Sequence, residues 1–201
     1  MMNVLTGKVN PSGKLNETYP LHYKDTPAYA YYPSKERSSE YRESVYVGYR
    51  YYTTAGKMTR FPFGFGLSYT TFEYNNLKVN SEGVKFTVKN TGNMAGTEIA
   101  QLYVGKQSDT IFRPVRELKG FKRVELEPGE EKEVWISFDD KSFRFYDTRT
   151  DSWEIESGTY QIMIGENAEH MLLEGTLEAT GTVENGGYNK EEMPEYFSGQ
   201  I

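Results

Sequence analysis

Residues 84–104 read VKFTVKNTGNMAGTEIAQLYV, and their pattern decides the fold. Val84, Phe86 and Val88 alternate with Lys85, Thr87 and Lys89. Successive side chains of a strand point to opposite faces, so this period of two predicts a strand with one buried and one wet side. Asn90-Thr91-Gly92-Asn93 then supplies turn formers, which tolerate left-handed backbone or bond to their own main chain. Residues 98–104 resume the pattern, with Ala100, Leu102 and Val104 on one apolar face.

The same signature recurs on both sides of this hairpin. Val134, Ile136 and Phe138 follow the turn Glu127-Pro128-Gly129-Glu130, and Tyr160, Ile162 and Ile164 follow Ser157-Gly158. Residues 171–177 come after Gly165-Glu166-Asn167, and segments 70–79 and 121–127 complete a set of seven strands. Seven short strands separated by turns, with no convincing helix, predict an all-β sandwich of the immunoglobulin or fibronectin type III kind. One helical turn is expected at 139–143, capped by Asp139 or Asp140.

Residues 1 to about 40 behave differently. Asn10-Pro11-Ser12-Gly13, Tyr19-Pro20, Thr26-Pro27 and Tyr32-Pro33 predict extended chain and turns, because proline fixes its own φ and biases its predecessor. Twelve of the seventeen tyrosines fall between Tyr19 and Tyr74, so this region is either a ligand-stacking surface or a strap lying on another body of protein. The division is therefore 1–66 as tail and strap, 67–183 as β-sandwich, and 184–201 as a polar linker or truncated connector.

Composition narrows the function classes. A net charge of -6 and a pI near 5.2 leave no basic face for nucleic acid. Without cysteine there is neither a disulfide framework nor a thiolate metal site, and a reducing compartment, the cytoplasm, is the slightly favoured location. No run of eighteen apolar residues exists, and MMNVLTGKVNPSGKL lacks the apolar core of a signal peptide, so no membrane partner is expected.

Chemistry-bearing residues give no constellation. Glu125, Glu133, Asp139 and Asp140 sit at turns and strand edges, with nothing nearby to separate two carboxyl pKa values as glycoside hydrolysis requires. His22 and His170 lack neighbours at ligand spacing, and Asp147 to Asp151 lacks the glycine and terminal glutamate of an EF-hand loop. FPFGFG, with Gly64 and Gly66, is followed by no Lys-Ser/Thr and no strand-to-helix junction, so it is not a phosphate loop. No catalytic, cofactor-binding or metal residue is assigned. Trp135, out of phase with Val134 and Ile136, and Trp153 remain as sugar-stacking candidates.

NPSGKLNETYP, YRESVYVGYRYY and FPFGFGLSYTTFEY resemble the C-terminal region of glycoside hydrolase family 3, the family of β-glucosidases and β-xylosidases. The likeness continues through VKNTGNMAGTEIAQLYVG, RPVRELKGFKRVELEPGEEKEV and SGTYQIMIGENAEHM, spanning roughly residues 4 to 180 in the family's order. The resemblance implies that the part up to FPFGFG corresponds to the end of an α/β-sandwich domain and its strap. From LSYTTF onward it implies a fibronectin type III-like domain.

It also implies what this chain lacks. In the family an aspartate nucleophile lies in a barrel domain and the acid/base glutamate earlier in the α/β sandwich. Neither motif has a counterpart here, and a barrel alone needs about 250 residues. Two departures stand out: Glu43-Ser44 where the family often has Glu-Gly, and Phe65 where His or Tyr is common. YNKEEMPEYF resembles the connector of permuted members, in which the barrel follows.

The expectation is a non-catalytic part of a retaining β-glucosidase-like enzyme. Its partners would be the barrel and α/β-sandwich domains, with an oligosaccharide or β-glucoside as the parent's substrate. Tyr46, Tyr49, Arg50, Tyr51, Phe61, Phe63, Phe65 and Tyr69 are the interdomain-contact candidates. A stand-alone carbohydrate-binding or protein-interaction module, including one that self-associates, is the alternative.

Overall fold

A computed structural model describes residues 2–33, 37, 41–108 and 111–183. The 184–201 connector lies outside the described residues. In chain order the elements are α1 (Met2–Leu5), β1 (Tyr19–Pro20), α2 (Tyr49–Thr54), β2 (Thr59–Phe61), β3 (Phe72–Asn80), β4 (Gly83–Asn90) and β5 (Gly96–Gly105). They continue with β6 (Glu117–Leu126), β7 (Glu131–Ser137), β8 (Arg144–Asp147), β9 (Ser152–Ile155), β10 (Gly158–Gly165) and β11 (Met171–Ala179).

All seven expected strands form, as β3, β4, β5, β6, β7, β10 and β11. They build two antiparallel sheets, one ordered β11-β10-β5-β6 and the other β3-β4-β7. Their inner faces interdigitate, with Val84, Phe86, Val88, Leu102, Ile162 and Ile164 at 1% exposure or less. Each such side chain contributes about 1.5–3 kcal/mol by leaving water. This is the fibronectin type III-like sandwich that the alternation predicts.

Two polar residues inside it are anchored by hydrogen bonds. The Asn90 side chain, fully buried at the end of β4, donates to the carbonyls of Met94 (2.8 Å) and Leu126 (3.1 Å) and accepts from Gly92 N–H and the Thr70 hydroxyl. The Tyr160 hydroxyl donates to the Glu156 carbonyl four residues upstream at 2.9 Å, a tyrosine-corner bond at the edge of the sandwich.

The structure corrects the sequence reading in four places, one of them α1, a single helical turn at Met2–Leu5 where extended chain and turns are expected. The helical turn expected at 139–143 is a plain turn. The Asp139 carboxylate takes the Lys141 N–H (3.0 Å) and the Ser142 hydroxyl (2.8 Å) as the expected cap would, but β8 begins at Arg144 and leaves no room for a helix to propagate. A helix forms instead in the strap: α2 buries Tyr51 and Tyr52 at 3% exposure each. Six residues do not sustain a helix by propensity, so tertiary packing holds it. Lastly, β8 and β9 pair as a separate hairpin around the turn at 148–151. Their period was hidden because the inward residue is Asp147, fully buried and clasped by Arg149 at 2.7 Å, while Tyr146 and Trp153 face out.

Candidate functional site

Residues 10–15 and 46–69 reach the sandwich, and three sets of contacts bind them there. The first is polar. Lys14 reaches Glu98 on β5 at 3.1 Å, and the Tyr74 hydroxyl of β3 donates to the same carboxylate oxygen at 3.0 Å. The Asn10 side chain donates to Ala95 O at 3.0 Å and accepts from Tyr69 N–H at 2.9 Å. A cavity of about 200 Å³ opens beside this seam, bounded by Lys14, Leu67, Phe72 and Glu98.

The second set uses the close approach that glycine allows. Gly64, at φ +82°, lies against Gln101, where an added Cβ would come within 2.4 Å of Oε1. Gln101 is held from all sides: its Nε2 donates to Glu166 O at 2.7 Å and to Gly64 O at 3.4 Å, and its Oε1 accepts from the Tyr103 hydroxyl at 2.6 Å. The neighbouring backbone is paired too. Leu15 N–H donates to Phe65 O, Gly64 N–H to Leu15 O, and Ala168 N–H to Phe63 O at 2.9 Å.

The third set is aromatic. The Tyr49 ring sits 5.0 Å from Phe63 and 5.9 Å from Tyr103, and its hydroxyl accepts the Leu118 N–H at 2.8 Å. Arg50 pairs with Glu117 at 3.3 Å, and Tyr46 packs on Phe112 at 5.0 Å. Aromatic pairs at these distances are worth about 0.5–1.5 kcal/mol each beyond their area.

The interdomain-contact candidates therefore divide. Tyr46, Tyr49, Tyr51 and Phe63 are turned onto the sandwich or onto each other. Phe61 packs on Phe65 at 5.0 Å but stays 39% exposed, and Tyr69, 52% exposed, donates from its hydroxyl to the Val4 carbonyl. Around them Tyr23, Tyr32, Val47 and Met58 are exposed as well.

The two tryptophans lie on different parts of the surface. Trp135 is on the outer face of β7, opposite Lys85 of β4. Trp153 faces out from β9, edge-on to Tyr146 of β8 at 5.5 Å.

The electrostatics do not prepare acid–base chemistry. Burial pushes the phenols of Tyr74, Tyr103 and Tyr160 up; Glu98 adds to the effect on Tyr74 and Tyr49 to that on Tyr103. Bonds from Glu127 N–H and Lys132 hold Glu130 down, and hydroxyl donors do the same for Asp139 and Glu154. Both directions move groups away from neutrality, the reverse of what a general acid or base needs. Among the described residues no three His, Asp or Glu side chains converge as a metal site. His170 pairs with Glu166 at 2.8 Å, and His22 caps a turn through its backbone N–H to Asp25.

Comparison with known proteins fits this geometry. Residues 98–168 match the family model of the fibronectin type III-like domain. The chain is 44% identical over 191 residues to thermostable β-glucosidase B of Acetivibrio thermocellus, covering 91% of this chain and 25% of the relative. It is 43% identical over 182 residues to probable β-glucosidase K of Emericella nidulans, covering 90% and 22% respectively. The chain corresponds to the C-terminal region of glycoside hydrolase family 3 enzymes.

The solved structures agree about this C-terminal family 3 region, strap and sandwich together. The Bifidobacterium adolescentis GH3 β-glucosidase superposes with a TM-score of 0.86 at 34% identity, over 94% of this chain and 29% of that one. The chain spans about a quarter of the length of the curated relatives it matches. Sequence reasoning named the strap aromatics but missed Lys14, Glu98, Gln101 and Asn10. Polar residues that pair across the fold carry no local period by which to find them.

Proposed function

We propose that this chain is the bracing part of a β-glucosidase-like enzyme that hydrolyses β-glycosidic bonds with retention. Its fibronectin type III-like sandwich anchors the strap, and the strap offers its other side to the barrel and α/β-sandwich domains that carry the reaction. The observation behind this reading is the two-sidedness of the strap. Tyr46, Tyr51 and Tyr52 are buried, while Tyr23, Tyr32, Val47 and Met58 are 59–76% exposed on the same segment. Apolar side chains left exposed on a segment whose other rings are buried are what an interdomain face would present.

The substrate of the parent, an oligosaccharide or β-glucoside, would be contacted by residues of those other domains. The test is complementation. The A. thermocellus relative, truncated before the region equivalent to residue 1, is assayed on an aryl β-glucoside with and without this chain. The chain alone is expected to give no turnover and to restore activity and thermal resistance to the truncated partner. Turnover by the chain alone, or a folded partner indifferent to its addition, overturns the proposal.

A further inference from the structure

The groove where the two sheets meet at β6 and β7 is unrelated to the strap and absorbed by none of the bracing contacts. It has a volume of about 700 Å³, within the range of about 300–1,000 Å³ common to small-molecule sites. Lys122, Arg123 and Glu125 line it from β6, and Lys132, Glu133 and Trp135 from β7. We propose that this groove is an accessory site for a β-linked gluco-oligosaccharide, with the Trp135 indole as its stacking platform.

Three observations carry the assignment. First, the ring lies against the neighbouring strand on one side. It lies over Gly83, where an added Cβ would meet Cζ2 at 2.8 Å, so the absence of a side chain there lets the indole rest on the backbone of the neighbouring strand. Trp135 nevertheless keeps 39% of its surface exposed. A flat, positioned aromatic surface costs little conformational entropy when a ligand stacks on it.

Second, the rim carries donors and acceptors in alternation. Lys85 holds Glu133 at 2.7 Å, Lys132 holds Glu130 at 3.1 Å, and Arg123 pairs with Glu125. These are exposed pairs, each worth no more than about 1 kcal/mol, so they exchange partners with ligand hydroxyls at small cost. Third, three cations face two carboxylates, which gives no field to hold a polyanion and suits a neutral, hydroxyl-rich ligand. β-Linked glucose has equatorial hydroxyls and flat C–H faces, so each residue of such a chain presents an apolar plate to the indole and polar edges to the rim.

The choice of a β-linked glucan rests on the β-glucosidase-like reading above, whereas the site itself does not depend on the bracing role. The two tryptophans make the test internal. In a Trp153→Phe variant Trp135 is the sole indole, and cellopentaose is expected to shift its fluorescence and to perturb amide resonances of residues 122–125 and 132–135. Maltopentaose, whose α-linkage curls the chain, is expected to bind at least about tenfold more weakly, and Trp135→Ala to weaken cellopentaose by about tenfold. Trp135→Phe, which keeps an aromatic ring on the outer face, retains part of the binding and controls for folding.

No perturbation at the solubility limit of cellopentaose overturns the proposal. So do shifts centred on Trp153 and Tyr146 in the chain that keeps both tryptophans, or equal shifts with maltopentaose. Any of these results leaves the complementation experiment unaffected, and failed complementation leaves sugar binding by the chain to be measured on its own.

Discussion

Lys14 and Glu98 are 84 positions apart in the chain and meet at 3.1 Å, with 15% and 6% of their side chains exposed. This ion pair ties the start of the strap to the middle of the sandwich. Removing one partner of a nearly buried pair strands the other charge away from water. Lys14→Met is therefore expected to cost about 3 kcal/mol in urea unfolding, and the double variant with Glu98→Gln to recover part of that loss.

Gly64 is the point at which the strap comes closest to the sheet. Gly64→Ala puts a side chain at φ +82° and drives Cβ into Gln101, whose amide is already held by Tyr103 and Glu166. The expected loss is about 2 kcal/mol or more by denaturant titration, the sum of left-handed backbone strain and a displaced hydrogen-bonding hub. Gly13→Ala, with open space around its Cβ, is the matched control and should change stability little.

Ser44, a non-glycine residue, has a φ of +50°. An L side chain in that conformation costs about 1 kcal/mol. The residue is exposed, so Ser44→Gly is expected to raise stability by roughly that amount, seen as a higher urea midpoint at unchanged slope.

Asp139 titrates below its ordinary value of 3.8, first because Ser142 donates to it and then because Lys141 N–H does. A depressed carboxyl pKa contributes stability that is present above the unfolded pKa and is lost as pH falls through the folded one. Ser142→Ala should move the Asp139 carboxyl pKa upward, toward 3.8, in a carbon-detected NMR titration. It should also flatten the fall in stability at the acid end. An unmoved pKa would show that the Ser142 hydroxyl does not set it.

The strands and their faces could be read from sequence because the information is local. Alternation of Val84, Phe86 and Val88 against lysine and threonine needs no partner to be interpreted, and neither do the glycine and asparagine turns between strands. Where an inward position holds a polar residue, the same logic misleads. Asp147 is buried with Arg149 paired to it, and that inversion hides the β8–β9 hairpin together with the outward pairing of Tyr146 and Trp153.

By itself, then, the sequence determined an all-β sandwich behind an aromatic strap. Tertiary structure alone decided which rings of VYVGYRYYTTAGKMTRFPFGFG turn inward, that Tyr49–Thr54 becomes helical, and that Lys14, Asn10 and Gly64 are the points of attachment. It also placed Trp135 in a groove and Trp153 beside Tyr146 on the β8–β9 hairpin. The physical reason is common to all of these. Burial, pairing and close approach between distant segments depend on what the other segment presents, and no window along one segment contains that.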